Sequence, residues 1–372
     1  MWPDRRILDL FHIDAPILLA PMAGPGLSAL AIGVAEGGGL GSLPAAMLPP
    51  DQLRTELAAF RARTAHPIHL NFFCHAPPVA DAARDAAWRA RLAPYYRELG
   101  LDPGAPVAAA NRAPFDDALC RVVEELRPEV VSFHFGLPEP ALLARVRAAG
   151  ARIASSATTV AEARWLAERG CDAIIAQGAD AGGHRATFLG DPIAALAHQP
   201  GTLSLVPQVV DAVDVPVIAA GGIADARGIA AALALGAAAV QIGTAFLFCP
   251  EARVSVPQRA AMRAARSGED ATAMTNVFTG RPARGLVNRA IRDLGPISAD
   301  APAFPLAATG LAPLRAKAEA AGSGDFSPLW SGQAAALGRE LPAAELTRAL
   351  AAEALALIAR GLARATGATG AK

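Results

Sequence analysis

Eight short apolar runs, separated by longer alanine-rich stretches, constrain the fold of this chain more than any other feature. Alternation of this kind is typical of βαβ units and of a parallel sheet. Eight strands are the number that closes a (β/α)₈ barrel, whereas an open doubly wound sheet usually has fewer. The sequence therefore predicts an α/β fold, a (β/α)₈ TIM barrel. The predicted strands are Pro16–Ala20, Gly39–Leu43, Pro67–Phe73, Val130–His134, Arg152–Ser156, Ala173–Gln177, Pro216–Ala220 and Ala239–Gly243.

The stretches between these runs carry helix signals. Residues 139–150 and 159–170 each end at a glycine before a predicted strand, and residues 225–236 begin with an aspartate and end with a glycine. Glycine is favoured just beyond a helix C-terminus, and acidic residues are favoured in the first turn. These positions are the corners expected of repeated βα units.

Two segments depart from the repeat. The third connection, from Cys74 to Val130, has room for an additional helix at residues 81–99, and the chain after Phe248 is rich in Arg, Pro and Gly. Long segments of this kind in a compact enzyme are usually lids or binding elements. We therefore predict a cofactor-binding barrel at 1–249, an irregular lid over the barrel mouth at 250–342, and a helix that is the eighth barrel helix or packs beside it at 343–372.

Composition and charge argue against several classes of protein. Hydrophobic residues make up 53% of the 372 residues and charged residues 18%, which is too apolar for a disordered chain. Lys+Arg and Asp+Glu are equal at 34 each and no stretch concentrates basic charge, so a nucleic-acid partner is not expected. We expect a small-molecule partner and a monomer or homodimer.

The cysteines and the apolar stretches bear on location. Cys74, Cys120, Cys171 and Cys249 show neither CxxC spacing nor the density of a disulfide scaffold, which favours free thiols. No signal-peptide pattern precedes His12, and glycine and polar residues interrupt the apolar stretch 228–248 before it could span a membrane. The sequence predicts a cytoplasmic protein without a membrane segment.

Glycines follow the last two predicted strands. Gly221 and Gly222 come after the seventh strand, and Gly243 and Thr244 come at the end of the eighth. Backbone N–H groups at such turns and at helix N-termini favour phosphate, and in barrels this site commonly lies after strands seven and eight. The pattern predicts a phosphate-bearing cofactor; the alternative is that these glycines only make tight turns.

His184 is the candidate catalytic residue. It follows the sixth predicted strand, where Gly182 and Gly183 leave room for a flat ligand, and histidine is suited to proton transfer near neutral pH. Arg185 beside it would favour an anionic substrate or a neutral imidazole. A surface or core histidine is the alternative interpretation.

Other strand ends carry residues suited to a heterocycle. Asn71 and Gln177 end the third and sixth strands, where an amide could bond to a ring edge, or could simply cap a turn. Ala20, Pro21 and Met22 after the first strand would let a ring approach the backbone. No metal-ligand spacing, GxSxG elbow or Walker sequence is found, so the sequence favours catalysis through an organic cofactor.

The chain resembles the nitronate monooxygenases, formerly called 2-nitropropane dioxygenases. The resemblance extends over nearly the whole chain, and the combination of segments is specific where each alone is not. The segments are 20–24, the neighbourhood of Asn71, 177–184, 220–223, 241–244, 278–285 and 329–333.

The resemblance implies an FMN-dependent barrel that oxidises alkyl nitronates with O₂ to a carbonyl compound and nitrite. It implies propionate 3-nitronate, a metabolic poison, as the substrate and detoxification as the role. His184 matches the family's active-site histidine. Phe304-Pro305 stands where members often have a tyrosine before a proline, which affects the expected substrate preference. The expected FMN-binding residues are Ala20, Pro21, Met22, Asn71, Gln177, Gly182, Gly183, Gly221, Gly222, Gln241, Ile242, Gly243 and Thr244.

Two alternatives share the predicted barrel. One is an FMN-dependent NAD(P)H:quinone or enoyl-thioester reductase, although the chain shows no dedicated dinucleotide fingerprint. The other is a flavin-free lyase or binding module that uses the glycine sites for a phosphorylated metabolite. The sequence leaves open whether Arg185, Arg281 or Arg284 meets a substrate carboxylate.

Overall fold

Eight parallel strands with helices outside them form a barrel in the computed structural model, which describes residues 1–107, 112–266 and 272–365. Seven strand pairs are ladders, and the first and second strands meet through a parallel bridge between Leu18 and Leu40. There the Leu19 N–H donates to the Leu40 carbonyl at 2.9 Å, and the Leu40 N–H donates to the Ile17 carbonyl at 2.9 Å. The predicted (β/α)₈ TIM barrel is confirmed.

The strands and helices have the following bounds. The strands are β1 (Ile17–Leu19), β2 (Gly41–Leu43), β3 (Ile68–Phe73), β4 (Val130–His134), β5 (Arg152–Ala157), β6 (Ala173–Gln177), β7 (Gly183–His184), β8 (Val217–Ala220), β9 (Ala239–Ile242), β10 (Thr272–Thr275) and β11 (Ala283–Leu286). The α-helices are α1 (Arg6–Phe11), α2 (Ser28–Glu36), α3 (Pro50–Arg63), α4 (Ala82–Glu98), α5 (Asp117–Leu126), α6 (Pro140–Ala148), α7 (Val160–Glu168), α8 (Thr202–Val210), α9 (Ala226–Ala234), α10 (Val256–Arg266), α11 (Arg289–Leu294), α12 (Ala307–Ala320) and α13 (Ala343–Ala365). The barrel strands are β1 to β6, β8 and β9.

Local sequence signals set the helix ends. The Thr159 side chain accepts a hydrogen bond from the Glu162 N–H at the start of α7, and Asp225 accepts from the N–H groups of Arg227 and Gly228 at the start of α9. Beyond the other ends, Gly170 and Gly236 have φ of +82° and +93°, a conformation that costs residues with a Cβ roughly 1–2 kcal/mol. The repeated corners predicted from the sequence are therefore present.

A polar layer lies inside the barrel, below its carboxyl end. The buried His69 and Asn71 stand two residues apart on β3 and therefore share one face. His69 Nε2 lies 2.6 Å from Ser132 Oγ of β4, and Asn71 Nδ2 donates to the same oxygen at 2.8 Å. The serine therefore fixes both side chains under the barrel mouth.

The buried His69 makes the stability of the fold depend on pH. Burial lowers the pKa of His69 from 6.5 to about 3, so on acidification the unfolded chain takes up a proton that the folded chain does not. This stabilisation is fully present above the unfolded-state pKa and falls by about 1.4 kcal/mol per pH unit below it. When the pH falls from about 6.5 to 5, we expect the unfolding free energy of the parent protein to decrease by about 2 kcal/mol more than that of His69→Gln.

Urea unfolding of both proteins at these two pH values measures that difference. His12→Gln is the matched control, because the His69 argument depends on burial and His12 is exposed. Parallel losses in the parent and in His69→Gln would contradict a neutral, buried His69.

A second core connects two distant segments of the chain. Trp88 and Leu92 of α4 pack with Leu311 and Leu314 of α12. Trp88 Nε1 donates to the Ala307 carbonyl at 3.3 Å, and the Tyr96 hydroxyl donates to the Gly310 carbonyl at 2.7 Å. The extra helix of the third connection thus packs against the segment that follows the barrel.

The segment after the barrel is more regular than its composition indicates. Besides α10 to α12, it contains β10 and β11, and β11 pairs antiparallel with the two-residue β7, placing Ala283 opposite His184. Helix α13 packs between α9 and α2, the position of an eighth barrel helix. Part of the predicted final segment, residues 366–372, lies outside the described residues.

Two observations bear on the predicted location. The four cysteines are free thiols. None of the helices in the described ranges combines the length and the apolarity that a bilayer span needs. The cytoplasmic location stays a prediction.

Candidate active site

A cavity of about 590 Å³ lies at the carboxyl ends of the barrel strands. Small-molecule sites have volumes of this order and commonly lie at this face of a barrel. Ile242 is buried in the wall and does not reach the cavity. The other predicted residues that line it are Ala20, Pro21, Met22, Asn71, Gln177, Gly182, Gly183, His184, Gly221, Gly222, Gln241, Gly243 and Thr244.

One side of the cavity presents unused backbone donors. Within the described part of the chain, the N–H groups of Gly182, Gly222, Gly243 and Thr244 donate to no protein acceptor. Gly222 has φ of +68°, a left-handed conformation that residues other than glycine rarely adopt. This conformation sets the direction of its N–H group. Such a group of amides suits an anion, and phosphate above all.

Small residues keep the same side of the cavity open. A Cβ at Gly182 would lie 2.6 Å from the Gly332 nitrogen, and one at Gly243 would lie 3.3 Å from Ala20 Cβ and 3.5 Å from Met22 Sδ. The Thr244 hydroxyl accepts from the Gly332 N–H at 2.9 Å, which ties the segment after the barrel to the end of β9. A planar ligand therefore has access to backbone on this side.

Gln241 supplies a polar group without a partner. Its Oε1 is buried and makes no hydrogen bond within the described ranges. Leaving a buried acceptor unpaired costs about 1–3 kcal/mol. A ligand N–H beside Gln241 would remove that cost, so the wall fits a molecule that combines a phosphate with a ring carrying an N–H group, as FMN does.

His184 stands on β7, between the barrel and the segment after the barrel. Its Nε2 lies 2.9 Å from the Thr279 hydroxyl, and its ring centre lies 5.3 Å from that of Phe304 and 5.4 Å from that of Trp330. Its backbone carbonyl accepts hydrogen bonds from Gln177 Nε2 at 2.9 Å and from His134 Nε2 at 3.2 Å. The two barrel strands thus hold the backbone of His184, and Thr279 orients its imidazole.

The surroundings of His184 favour the neutral imidazole. Burial first, and then the positive charges of Arg112 and Arg281 and the neighbouring histidines, lower the pKa of His184 well below 6.5. The Thr279 hydroxyl donates to the Arg281 carbonyl, 3.4 Å away. The hydroxyl oxygen is then left to accept a hydrogen bond from His184 Nε2–H. Nδ1 then carries the lone pair, and it makes no hydrogen bond within the described residues.

Two predicted cofactor residues have further contacts. Gln177 lines the cavity, but its Oε1 accepts from the Ala186 N–H at 2.9 Å while its Nε2 bonds to His184. Gln177 therefore positions the histidine segment, which the sequence did not reveal. Asn71 uses Nδ2 on Ser132 and makes no hydrogen bond through Oδ1 in the described chain; its contact with a heterocycle stays a prediction.

The three arginines left open by the sequence lie away from the cavity. Arg185 is fully buried, donates from Nη1 to the carbonyls of Gln177 and Gly178 at 2.8 and 2.6 Å, and has its pKa lowered to about 10 by burial. Arg281 lies 4.0 Å over the Phe135 ring, and Arg284 donates to the Ala179 carbonyl at 2.8 Å. Their contacts are structural.

Sequence reasoning missed several residues of the site. Arg112, Arg315 and Ser132 line the cavity, and none of them belongs to a segment that carries the family resemblance. Thr279 and Trp330 do lie in such segments, but no role was assigned to them. No group of three or more metal-ligating side chains occurs in the ranges that the structure describes.

Comparisons with known proteins agree on one family. Residues 4–353 match the family "Nitronate monooxygenase". The chain is 43% identical to a nitronate monooxygenase of Paraburkholderia phytofirmans over 93% of this chain and 94% of that protein, and 42% identical to one of Pseudomonas aeruginosa over 94% and 98%. A crystal structure of nitroalkane oxidase from Streptomyces ansochromogenes matches with a TM-score of 0.86 and 38% identity, covering 96% of this chain and 99% of that one.

Proposed function

The chain belongs to the nitronate monooxygenase family, a family of oxidoreductases, and on that premise we propose that it uses FMN to oxidise alkyl nitronates with O₂. The products are a carbonyl compound and nitrite. We further propose propionate 3-nitronate as the substrate and detoxification as the role. The observation that carries the proposal is a single cavity that combines unpaired backbone amides with a histidine whose imidazole bonds to Thr279 and whose carbonyl accepts from Gln177 and His134.

Several groups of the cavity wall suit FMN. The free N–H groups of Gly222, Gly243 and Thr244 would bind its phosphate, and the unpaired Oε1 of Gln241 would accept from the ring. Ala20 and Met22 bound the slot beside Gly243. A bound flavin would supply the redox chemistry between the nitronate and O₂.

His184 handles the proton on the substrate side. For a neutral nitroalkane, the free Nδ1 removes the α-proton, because the depressed pKa keeps the imidazole neutral. For a nitronate that enters as the anion, the negative charge favours protonation of Nδ1, which then donates a hydrogen bond to the nitronate oxygen. Thr279 orients the ring through Nε2, and Gln177 positions the backbone that carries it, for both tasks.

An anaerobic mixing experiment tests the proposed function. We expect the purified protein to carry FMN, and its visible absorbance to bleach with propionate 3-nitronate but not with NADH or NADPH. Bleaching by the nicotinamide nucleotides and not by the nitronate would make the protein a reductase instead. We do not favour that alternative, since the two relatives that are 43% and 42% identical over nearly the whole chain are named nitronate monooxygenases. A colourless protein that does not take up FMN would contradict both.

A further inference from the structure

The wall of the cavity carries arginines and no carboxylate. Within the described residues, Arg112, Arg253 and Arg315 line it, and no aspartate or glutamate does. Arg315 has a carboxylate partner outside the cavity, because its Nε donates to Glu319 Oε1 at 2.9 Å. The half-buried Arg112 guanidinium makes neither an ion pair nor a hydrogen bond in the described chain. Arg112 is therefore a cation in a cavity wall without a counterion.

The backbone holds Arg112 in place. Its carbonyl accepts a hydrogen bond from His75 Nε2 at 2.9 Å, and the Phe115 N–H donates to the Phe73 carbonyl at 2.7 Å three residues further on. Both contacts join the backbone of this segment to β3 and the residues just after it, which fixes the point from which the Arg112 side chain extends.

Arg112 lies at the same end of the cavity as His184. Its guanidinium carbon is 5.6 Å from the centre of the Phe304 ring, and that ring is 5.3 Å from the imidazole of His184. The charge of Arg112 also contributes to the lowered pKa of His184. A short substrate at His184 would therefore have Arg112 within reach of its other end.

The electrostatics favour a bound anion at this end. Burial first, and then the charge of Arg315, lower the pKa of Arg112. The surroundings therefore disfavour the charged guanidinium of Arg112. A carboxylate would reverse that effect, and a guanidinium binds carboxylates with two parallel hydrogen bonds.

We propose that Arg112 is a specificity-determining residue that binds a second anionic group of the substrate, a carboxylate joined to the nitronate carbon by a short alkyl chain. This inference rests on the proposed function and deepens it. The nitronate end lies at His184 and the carboxylate end at Arg112, so Arg112 selects among nitronates while His184 handles the proton.

Steady-state kinetics with two nitronates test the assignment. Propionate 3-nitronate carries the carboxylate, and propyl-1-nitronate has a methyl group in its place. In the FMN-bound enzyme, Arg112→Gln is expected to raise KM for propionate 3-nitronate by about 10- to 100-fold, the range of a charge-assisted hydrogen bond, and to change KM for propyl-1-nitronate by less than about twofold. Arg112→Lys should restore part of the difference, because it keeps the charge and loses the bidentate geometry.

Arg121→Gln is the matched control, since it removes an exposed arginine of the same connection that is paired with Asp117 at 2.7 Å; neither KM should change. Equal changes on both nitronates in Arg112→Gln, or none on either, would overturn the assignment. Failure of the parent enzyme to oxidise any nitronate would instead refute the proposed function.

Calorimetry tests the anion site even if the parent enzyme oxidises no nitronate. Propionate is titrated calorimetrically into the parent protein and into Arg112→Gln. Binding that weakens by about tenfold or more in the variant supports the site, whereas equal binding or none in the parent overturns it.

Discussion

Replacing His184 with alanine is expected to abolish most turnover while the protein keeps its FMN. Loss of a general base typically lowers the rate by about 10²–10⁴-fold, so oxidation of neutral nitroalkanes should fall by that factor. Oxidation of a preformed nitronate needs no deprotonation and loses only a charge-assisted hydrogen bond, which predicts a fall of about 10- to 100-fold in kcat/KM. Oxygen consumption with nitroethane and with its nitronate measures the two effects.

His198→Ala is the matched control for this variant. His198 is exposed, follows β7 in the chain and does not line the cavity. Both rates should therefore stay at the parent level. FMN content after gel filtration shows whether His184→Ala retains the cofactor. Unchanged nitronate kinetics in His184→Ala would exclude His184 from the reaction, whatever happens to the nitroalkane.

The barrel was predictable because each of its signals is local. Short buried strands, Asp and Ser/Thr caps and glycine stops act within a few residues, and Gly170 and Gly236 adopt the positive φ that their positions suggested. The glycines after β8 and β9 were placed at the cavity for the same reason, since a turn after a parallel strand must emerge at its carboxyl end.

Long-range contacts were not predictable in this way. Pairing of the two-residue β7 with β11 depends on residues about a hundred positions apart, and a strand this short has no recognisable period. Gln177 looked like a ligand contact because its strand end faces the cavity, yet its amide is used on His184 and Ala186. No sequence pattern pointed to Arg112. Its proposed anion-binding role depends on the lack of a counterion in the cavity wall, which only the folded chain reveals.

Filling the space beside Gly243 should remove the cofactor without unfolding the protein. The backbone at Gly243 has φ of −112°, which other residues adopt without strain, and a Cβ there would lie between Ala20 and Met22. The side chain of Gly243→Leu would occupy the slot proposed for FMN. Overpacking of this kind costs about 1–3 kcal/mol, so we expect FMN affinity to fall roughly 100-fold. Fluorescence titration of the apoprotein with FMN measures it.

Two further variants are controls for filling the space beside Gly243. Gly361→Leu makes the same chemical change on α13, where a Cβ at Gly361 meets nothing within 4 Å, and should bind FMN like the parent. Gly243→Ala should lie between the parent and the leucine variant, because only its Cβ reaches contact distance. Thermal unfolding of the apoproteins separates lost binding from lost structure. If Gly243→Leu is folded and binds FMN with the parent affinity, the cofactor does not lie beside Met22, and the proposed site at the ends of β1 and β9 is wrong.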